Sequence, residues 1–186
     1  MTAAVGVQVR EERPDDHDRV RDVQNAAFAK DEGRVGGLVD ALRESLSRWE
    51  GLSLVATDDD VVVGHVMFTR SLVDAPRRLV DVQVLSPVGV LPERQRQGIG
   101  SLLITTGLEM LNERGVPLVF LEGSPVYYRR FGFVAGADLG FTRPSVRIPE
   151  VAFQVKVLDS YEPWMTGALV YLQTFWDLDF VGLRET

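Results

Sequence analysis

The segment Gln95-Arg96-Gln97-Gly98-Ile99-Gly100 joins a β-rich run to a helical pattern. A strand that ends in such a turn and feeds a helix leaves backbone N–H groups unpaired at the positive end of the helix dipole, where phosphate oxygens are favoured. Gly98 and Gly100 let an anion approach the backbone with no Cβ in the way, and Arg94 and Arg96 can add charge from the rim. The chemistry predicted is pyrophosphate binding. On glycine spacing alone, a tight turn that holds nothing fits equally well. A P-loop is excluded, because Gly100 is followed by Ser101-Leu102 rather than Lys-Ser/Thr. The dinucleotide fingerprint requires a third glycine where Leu103 stands.

Other reactive groups are few. With no cysteine there is no thiolate metal site, no cysteine nucleophile and no disulfide. His17 and His65 have no ligand partner at metal-binding spacing and read as structural. Asp58-Asp59-Asp60 reads as a solvated turn, since a calcium loop needs alternate oxygen ligands and a distal Glu. No metal is expected. Trp49, Trp164 and Trp176 read as core or interface anchors.

The elements that must position the turn follow from periodicity. Residues 5–11 read as a first strand, and Asp15 and Asp16 as acidic caps of a helix reaching about Lys30, with Val20, Val23, Ala27 and Phe28 on one face. Val35, Leu38, Val39, Leu42 and Leu46 keep helical spacing to Trp49 in spite of Gly36-Gly37. Residues 52–57 and 61–72 form a predicted hairpin around the aspartates, and residues 81–90 a further strand in which Pro87 and Gly89 suggest a bulge. A helix from Gly98 to a glycine stop at Gly115, followed by an apolar strand at 116–121, completes a parallel crossover. Ser124-Pro125 opens a short helix ending at Gly132, and residues 151–158 and 167–175 read as two closing antiparallel strands.

At 186 residues, with 45% hydrophobic and 25% charged residues, the chain fits one folded domain spanning 1–186. A net charge of −7 argues against general nucleic-acid binding. The start lacks the basic flank and apolar run of a secretory signal, and no long apolar stretch follows, so a cytoplasmic protein without membrane contact is expected.

Val88-Gly89-Val90-Leu91-Pro92-Glu93 leading into the glycine turn resembles the central Gln/Arg-x-x-Gly-x-Gly/Ala motif of the GNAT superfamily of N-acetyltransferases. Tyr128-Arg129-Arg130-Phe131-Gly132-Phe133 resembles that family's Tyr-x-x-x-Gly-Phe segment, at the usual distance. The Asn common before that tyrosine is replaced by Gly123-Ser124-Pro125-Val126-Tyr127. With the closing Gly167-Ala168-Leu169-Val170-Tyr171, this is similar to a bacterial subgroup typified by the protein YhbS. The resemblance covers about residues 7–158 and implies an α/β acyl-CoA N-acyltransferase fold, a mixed six- to seven-stranded sheet with helices on both faces.

The resemblance further implies acetyl transfer from acetyl-coenzyme A to a primary amine of a small molecule or peptide. The cofactor would enter where two parallel strands diverge. The backbone of Val88, Gly89 and Val90 would pair with the pantetheine arm, and Gln95, Arg96, Gln97, Gly98, Ile99, Gly100 and Ser101 would hold the pyrophosphate. Tyr128 takes the place of a general acid beside the sulfur, although a packing tyrosine next to Phe131 and Phe133 is its plain alternative. Glu122, at the carboxyl end of a strand, is the candidate base, with a cap or turn residue as its alternative. Tyr127 reads as structural, and Arg129 and Arg130 as solvated surface. A non-catalytic acyl-CoA-binding or regulatory module would keep the turn without turnover; NAD or ATP is a third possible occupant. A homodimer is an assembly open to the chain.

Overall fold

The computed structural model describes residues 6–46 and 51–183. Val5 and Trp49, placed above in a strand and at the end of a helix, lie outside the described residues.

In chain order the elements are β1 (Gln8–Glu11), α1 (His17–Ala27), α2 (Arg34–Leu46), β2 (Leu52–Asp58), β3 (Val61–Asp74), β4 (Leu79–Val90), α3 (Ile99–Glu113) and β5 (Leu118–Glu122). There follow α4 (Pro125–Tyr128), β6 (Val134–Ala135), β7 (Phe153–Val157), β8 (Ala168–Val170) and α5 (Gln173–Asp177). The sheet runs β1-β2-β3-β4-β5-β7-β6, with β8 paired to β3. Among the described residues it therefore has eight strands rather than six or seven. The additional piece, β6, has two residues, too short for a period to register.

The chain forms two compact units, Met1–Thr69 with Leu85–Met110 and Arg70–Val84 with Leu111–Thr186. In the first, the β2–β3 hairpin turns at Asp59 and Asp60, both in the left-handed region (φ 47° and 62°). Aspartate tolerates that conformation and it matches the twist of the strands. Asp58 binds Arg94 at 2.6 Å, so the acidic triplet supplies a turn and an ion pair.

Alternation along β3 sets the layers. His65 meets Gln24 of α1, whereas a Cβ on Gly64 would lie 3.0 Å from Ile99 and 3.1 Å from Leu103 of α3. Successive strand residues face opposite ways, so α1 and α3 cover opposite faces. Every residue of β3 from Val62 to Thr69 is consequently buried. Burial of Val35, Leu38, Val39 and Leu42 along one stripe holds α2, each contributing roughly 1.5–3 kcal/mol when fully covered. Gly36 is explained by a close approach, since a Cβ there would sit 2.5 Å from Asn25 Oδ1.

The start of α1 differs from expectation. A 3-10 turn at Pro14–Asp16 precedes it, and neither aspartate caps it by a side-chain hydrogen bond. Asp16 instead accepts from the Arg13 N–H at 2.8 Å and pairs with Arg10 at 2.6 Å. The guanidinium holds the Asp16 carboxyl below its usual range.

In the second unit, β5 runs parallel to β4 through Gln83↔Val119 and Val84↔Phe120, and antiparallel to β7 over five pairs. Residues 118–121 are wholly buried, as a two-sided strand requires. Phe120 stacks on Phe153 (5.6 Å) and meets Phe141 edge-on (5.0 Å). The expected strand at 167–175 divides: only Ala168–Val170 is extended, and Gln173–Asp177 is helical. Tyr171 and Phe175, both buried and four residues apart, place their rings 5.2 Å from each other, a contact that suits helical spacing.

Candidate active site

The glycine turn is built as its composition demands. A 3-10 turn at Pro92–Arg94 ends β4's exit, and the chain then passes through Arg96 (φ 62°) and Gly98 (φ 87°) before α3 begins. The Leu102 N–H bonds back to Gly98 O at 2.9 Å. Among the described residues, the amides of residues 96–101 have no backbone partner. Six donors therefore cluster at the positive end of a fifteen-residue helix, an arrangement complementary to a multiply charged anion.

Side chains brace this turn from outside. Gln95 Nε2 donates to Val90 O (3.1 Å), tying the turn to the strand segment that carries Val88, Gly89 and Val90. Gln97 Nε2 donates to Glu93 O (3.2 Å), and Gln97 Oε1 accepts from Arg94 Nε (3.2 Å). Arg94 is thus committed to Gln97 and Asp58, and of the two rim arginines Arg96 is the exposed one. Ile99 is buried and anchors the helix start.

The strand segment has its own peculiarity. The parallel register of β4 with β5 ends at Val84, so residues 85–90 extend β4 beyond that pairing. Gly89 lies against α1: a Cβ there would be 2.6 Å from Gln24 Oε1 and 3.1 Å from the Ala27 Cβ. Close approach of the helix is therefore what demands glycine.

In the second unit, Ser124 stands before α4, its carbonyl accepting from the N–H groups of Tyr127 (3.0 Å) and Tyr128 (3.1 Å). The Tyr128 ring lies over Gly123, where a side chain would strike it, and packs against Phe133 (5.8 Å) and Tyr127 (4.9 Å). Burial pushes its phenol well above the ordinary range, with Tyr127 adding to the effect, so the hydroxyl keeps its proton. Arg130 donates to Tyr127 O (2.9 Å) and lies over the Tyr127 ring at 4.7 Å, so it braces the helix rather than standing free. Arg129 is exposed and lines a cavity of about 270 Å³ with Val126, Phe133, Val134 and Val151.

Glu122 is held by the C-terminal segment. Its carboxylate accepts from the Tyr171 hydroxyl (3.0 Å) and the Gly182 N–H (3.2 Å). Burial raises its pKa despite those two hydrogen bonds. Trp164 is bracketed by the guanidiniums of Arg77 and Arg78, each 5.3 Å from the ring centre, and Trp176 is exposed on α5.

One feature had no local signature in the sequence. His65 is wholly buried; its Nδ1 meets Gln24 Nε2 at 2.7 Å and its Nε2 meets Ser53 Oγ at 2.9 Å. Ser53 donates to Glu12 at 2.5 Å, and Glu12 pairs with Arg43 at 2.7 Å. The partners lie between 12 and 41 positions apart, beyond the reach of any periodic pattern. Among the described residues no group of three or more His, Cys, Asp or Glu is placed to hold a metal ion. No helix among them is long and apolar enough to cross a membrane.

Comparison with known proteins gives this geometry a family. Residues 8–136 match the acetyltransferase (GNAT) domain model. The chain is 37% identical over 132 residues to the uncharacterized N-acetyltransferase YjhQ of Escherichia coli, covering 70% of this chain and 71% of that one. It superposes on the crystal structure of the Escherichia coli GNAT-family N-acetyltransferase YhbS in complex with CoA, with a TM-score of 0.80, 30% identity and 91% of each chain covered. A GNAT-family acetyltransferase of Brucella melitensis, crystallised with acetyl-CoA, matches with a TM-score of 0.72 at 35% identity, covering 91% of this chain and 97% of that one. The chain belongs to the GNAT family of acetyltransferases.

Proposed function

We propose that the protein transfers an acetyl group from acetyl-CoA to a primary amine of a small molecule or peptide. The observation that carries this is the cluster of unpartnered amides at residues 96–101, opened by the left-handed Arg96 and Gly98 at the head of α3. The CoA and acetyl-CoA bound by the two crystallised relatives support the choice of ligand.

In this proposal the turn holds the pyrophosphate, and the backbone of Val88, Gly89 and Val90 pairs with the pantetheine arm. A neutral amine attacks the thioester carbon, forming the C–N bond and placing charge on the carbonyl oxygen, which a β4 N–H receives. Collapse breaks the C–S bond, and the Tyr128 hydroxyl gives its proton to the departing thiolate. Tyr128 carries its proton at neutral pH, as any phenol does. The nitrogen loses its extra proton to Glu122, whose raised pKa makes it a better acceptor than an ordinary carboxylate.

The test is a panel of spermidine, L-lysine, kanamycin and a lysine-containing peptide, each incubated with acetyl-CoA and assayed for free thiol. Amine-dependent thiol release is expected for at least one. Binding of acetyl-CoA with no release from any would favour the non-catalytic acyl-CoA module instead. Sedimentation of the same preparation checks the homodimer.

A further inference from the structure

The buried chain of polar groups in the first unit has a direction, and it ends on an unused acceptor. Glu12 is paired to the Arg43 guanidinium, and as a carboxylate it can only accept. Ser53 must therefore spend its O–H on Glu12, so Ser53 Oγ accepts from His65 Nε2–H. That leaves His65 Nδ1 as a bare acceptor, which turns the Gln24 amide so that Nε2 donates to it, with a second, longer contact from Nε2 to His65 O at 3.4 Å. The hydrogens between Glu12 and His65 are thereby assigned. Gln24 Oε1 is what remains, a fully buried oxygen without a hydrogen-bond partner, pressed against Gly89.

An orphaned buried carbonyl is destabilising, and here the whole relay from Glu12 to His65 acts to keep it facing Gly89. Gly89 is in the segment to which the acetyl-transfer reading assigns the thioester. We infer that Gln24 Oε1 is the acceptor-side positioning atom of the reaction, taking a hydrogen bond from an N–H of the incoming primary amine; this rests on that reading. Gln24 is fully buried, so the amine reaches Oε1 only if α1 draws back from Gly89.

The chemistry favours an amide at this place. A carboxylate would retain the acceptor as an ammonium ion, which has no lone pair to attack with. The amide oxygen binds the neutral amine and directs its lone pair away from Gln24. As the C–N bond forms, the nitrogen becomes cationic and the same hydrogen bond strengthens, so the contact favours the transition state over the bound substrate.

Gln24→Met removes the acceptor atom, and with it the Nε2 donor to His65, at nearly constant volume, and Gln24→Glu replaces both with carboxylate oxygens. Both are compared with the wild type for acetyl-CoA affinity by calorimetry, for melting temperature, and for kcat/KM with whichever of the four panel amines turns over fastest. Gln24→Met is expected to keep acetyl-CoA affinity within about twofold while losing about ten- to hundredfold in kcat/KM for the amine, the range a hydrogen bond to a charged group gives. Gln24→Glu is expected to move the acidic limb of the kcat/KM–pH profile to higher pH. Unchanged amine kinetics in Gln24→Met, an unmoved profile in Gln24→Glu, or loss of acetyl-CoA affinity in step with melting temperature would each overturn the assignment. A wild-type protein that acetylates none of the four amines defeats the transfer reading itself, and the assignment with it.

Discussion

Tyr128, half-buried, and His65, wholly buried, are titratable groups that burial shifts in opposite directions. Replacing Tyr128 by Phe keeps the ring over Gly123 and against Phe133, so acetyl-CoA affinity and folding should hold. Turnover with an accepted amine should fall by about a hundredfold or more if the phenol is the acid. Equal turnover in the two proteins would make Tyr128 a packing residue. His65 is pushed down to about 4 by burial, Arg43 adding to the depression while Glu12 opposes it. The folded state therefore binds the His65 proton less readily than the unfolded chain. The stability that depends on a neutral ring is whole above pH 6.5 and is lost as the pH falls towards 4, amounting to roughly 3 kcal/mol across that window. Melting curves between pH 7 and pH 4 should fall more steeply for the wild type than for His65→Gln, which has nothing to titrate at this position. Parallel curves would show that His65 is not the group responsible.

Two glycines inside helices make opposite predictions about elements. Gly37 sits on the exposed side of α2 with nothing within 4 Å of where a Cβ would stand. Gly37→Ala should raise stability by about 0.5–1 kcal/mol through helix propensity and the lost freedom of the unfolded chain. Gly107, in the middle of α3, faces the Phe68 ring, into which a Cβ would run. Gly107→Ala gains the same propensity but overpacks the core, and a net loss of about 1–3 kcal/mol is expected. Urea unfolding of both variants decides the matter, and the same sign for the two would contradict the packing given for α3. The sequence shows both as glycines interrupting apolar periodicity. Only the packing partner separates them.

For the whole molecule, the ligand reading predicts a concentration-dependent stabilisation. Acetyl-CoA at about a hundred times its Kd should stabilise the fold by about 2.7 kcal/mol, which for a chain of this size is a rise of roughly 5–10 °C in Tm. NAD and ATP should give none. A shift with NAD or ATP and not with acetyl-CoA would assign the turn to a different nucleotide. The glycine turn, the order of the longer strands, the parallel crossover and the family were legible because each depends on residues adjacent in sequence or repeating at a fixed period. Gln95-Arg96-Gln97-Gly98-Ile99-Gly100 forms its amide cluster through its own backbone, and α3 follows from its own apolar spacing. The relay from Glu12 through Ser53 and His65 to Gln24 was not legible, nor was the attachment of Glu122 to Tyr171 and Gly182. Those contacts depend on strand register and on which helix covers which face, and in a sheet buried on both sides the alternation that would reveal a face is erased. The sequence by itself therefore determined the glycine turn at the head of α3; the tertiary structure decided which distant polar groups turn the Gln24 oxygen towards Gly89, because only packing brings residues 41 positions apart within hydrogen-bond distance.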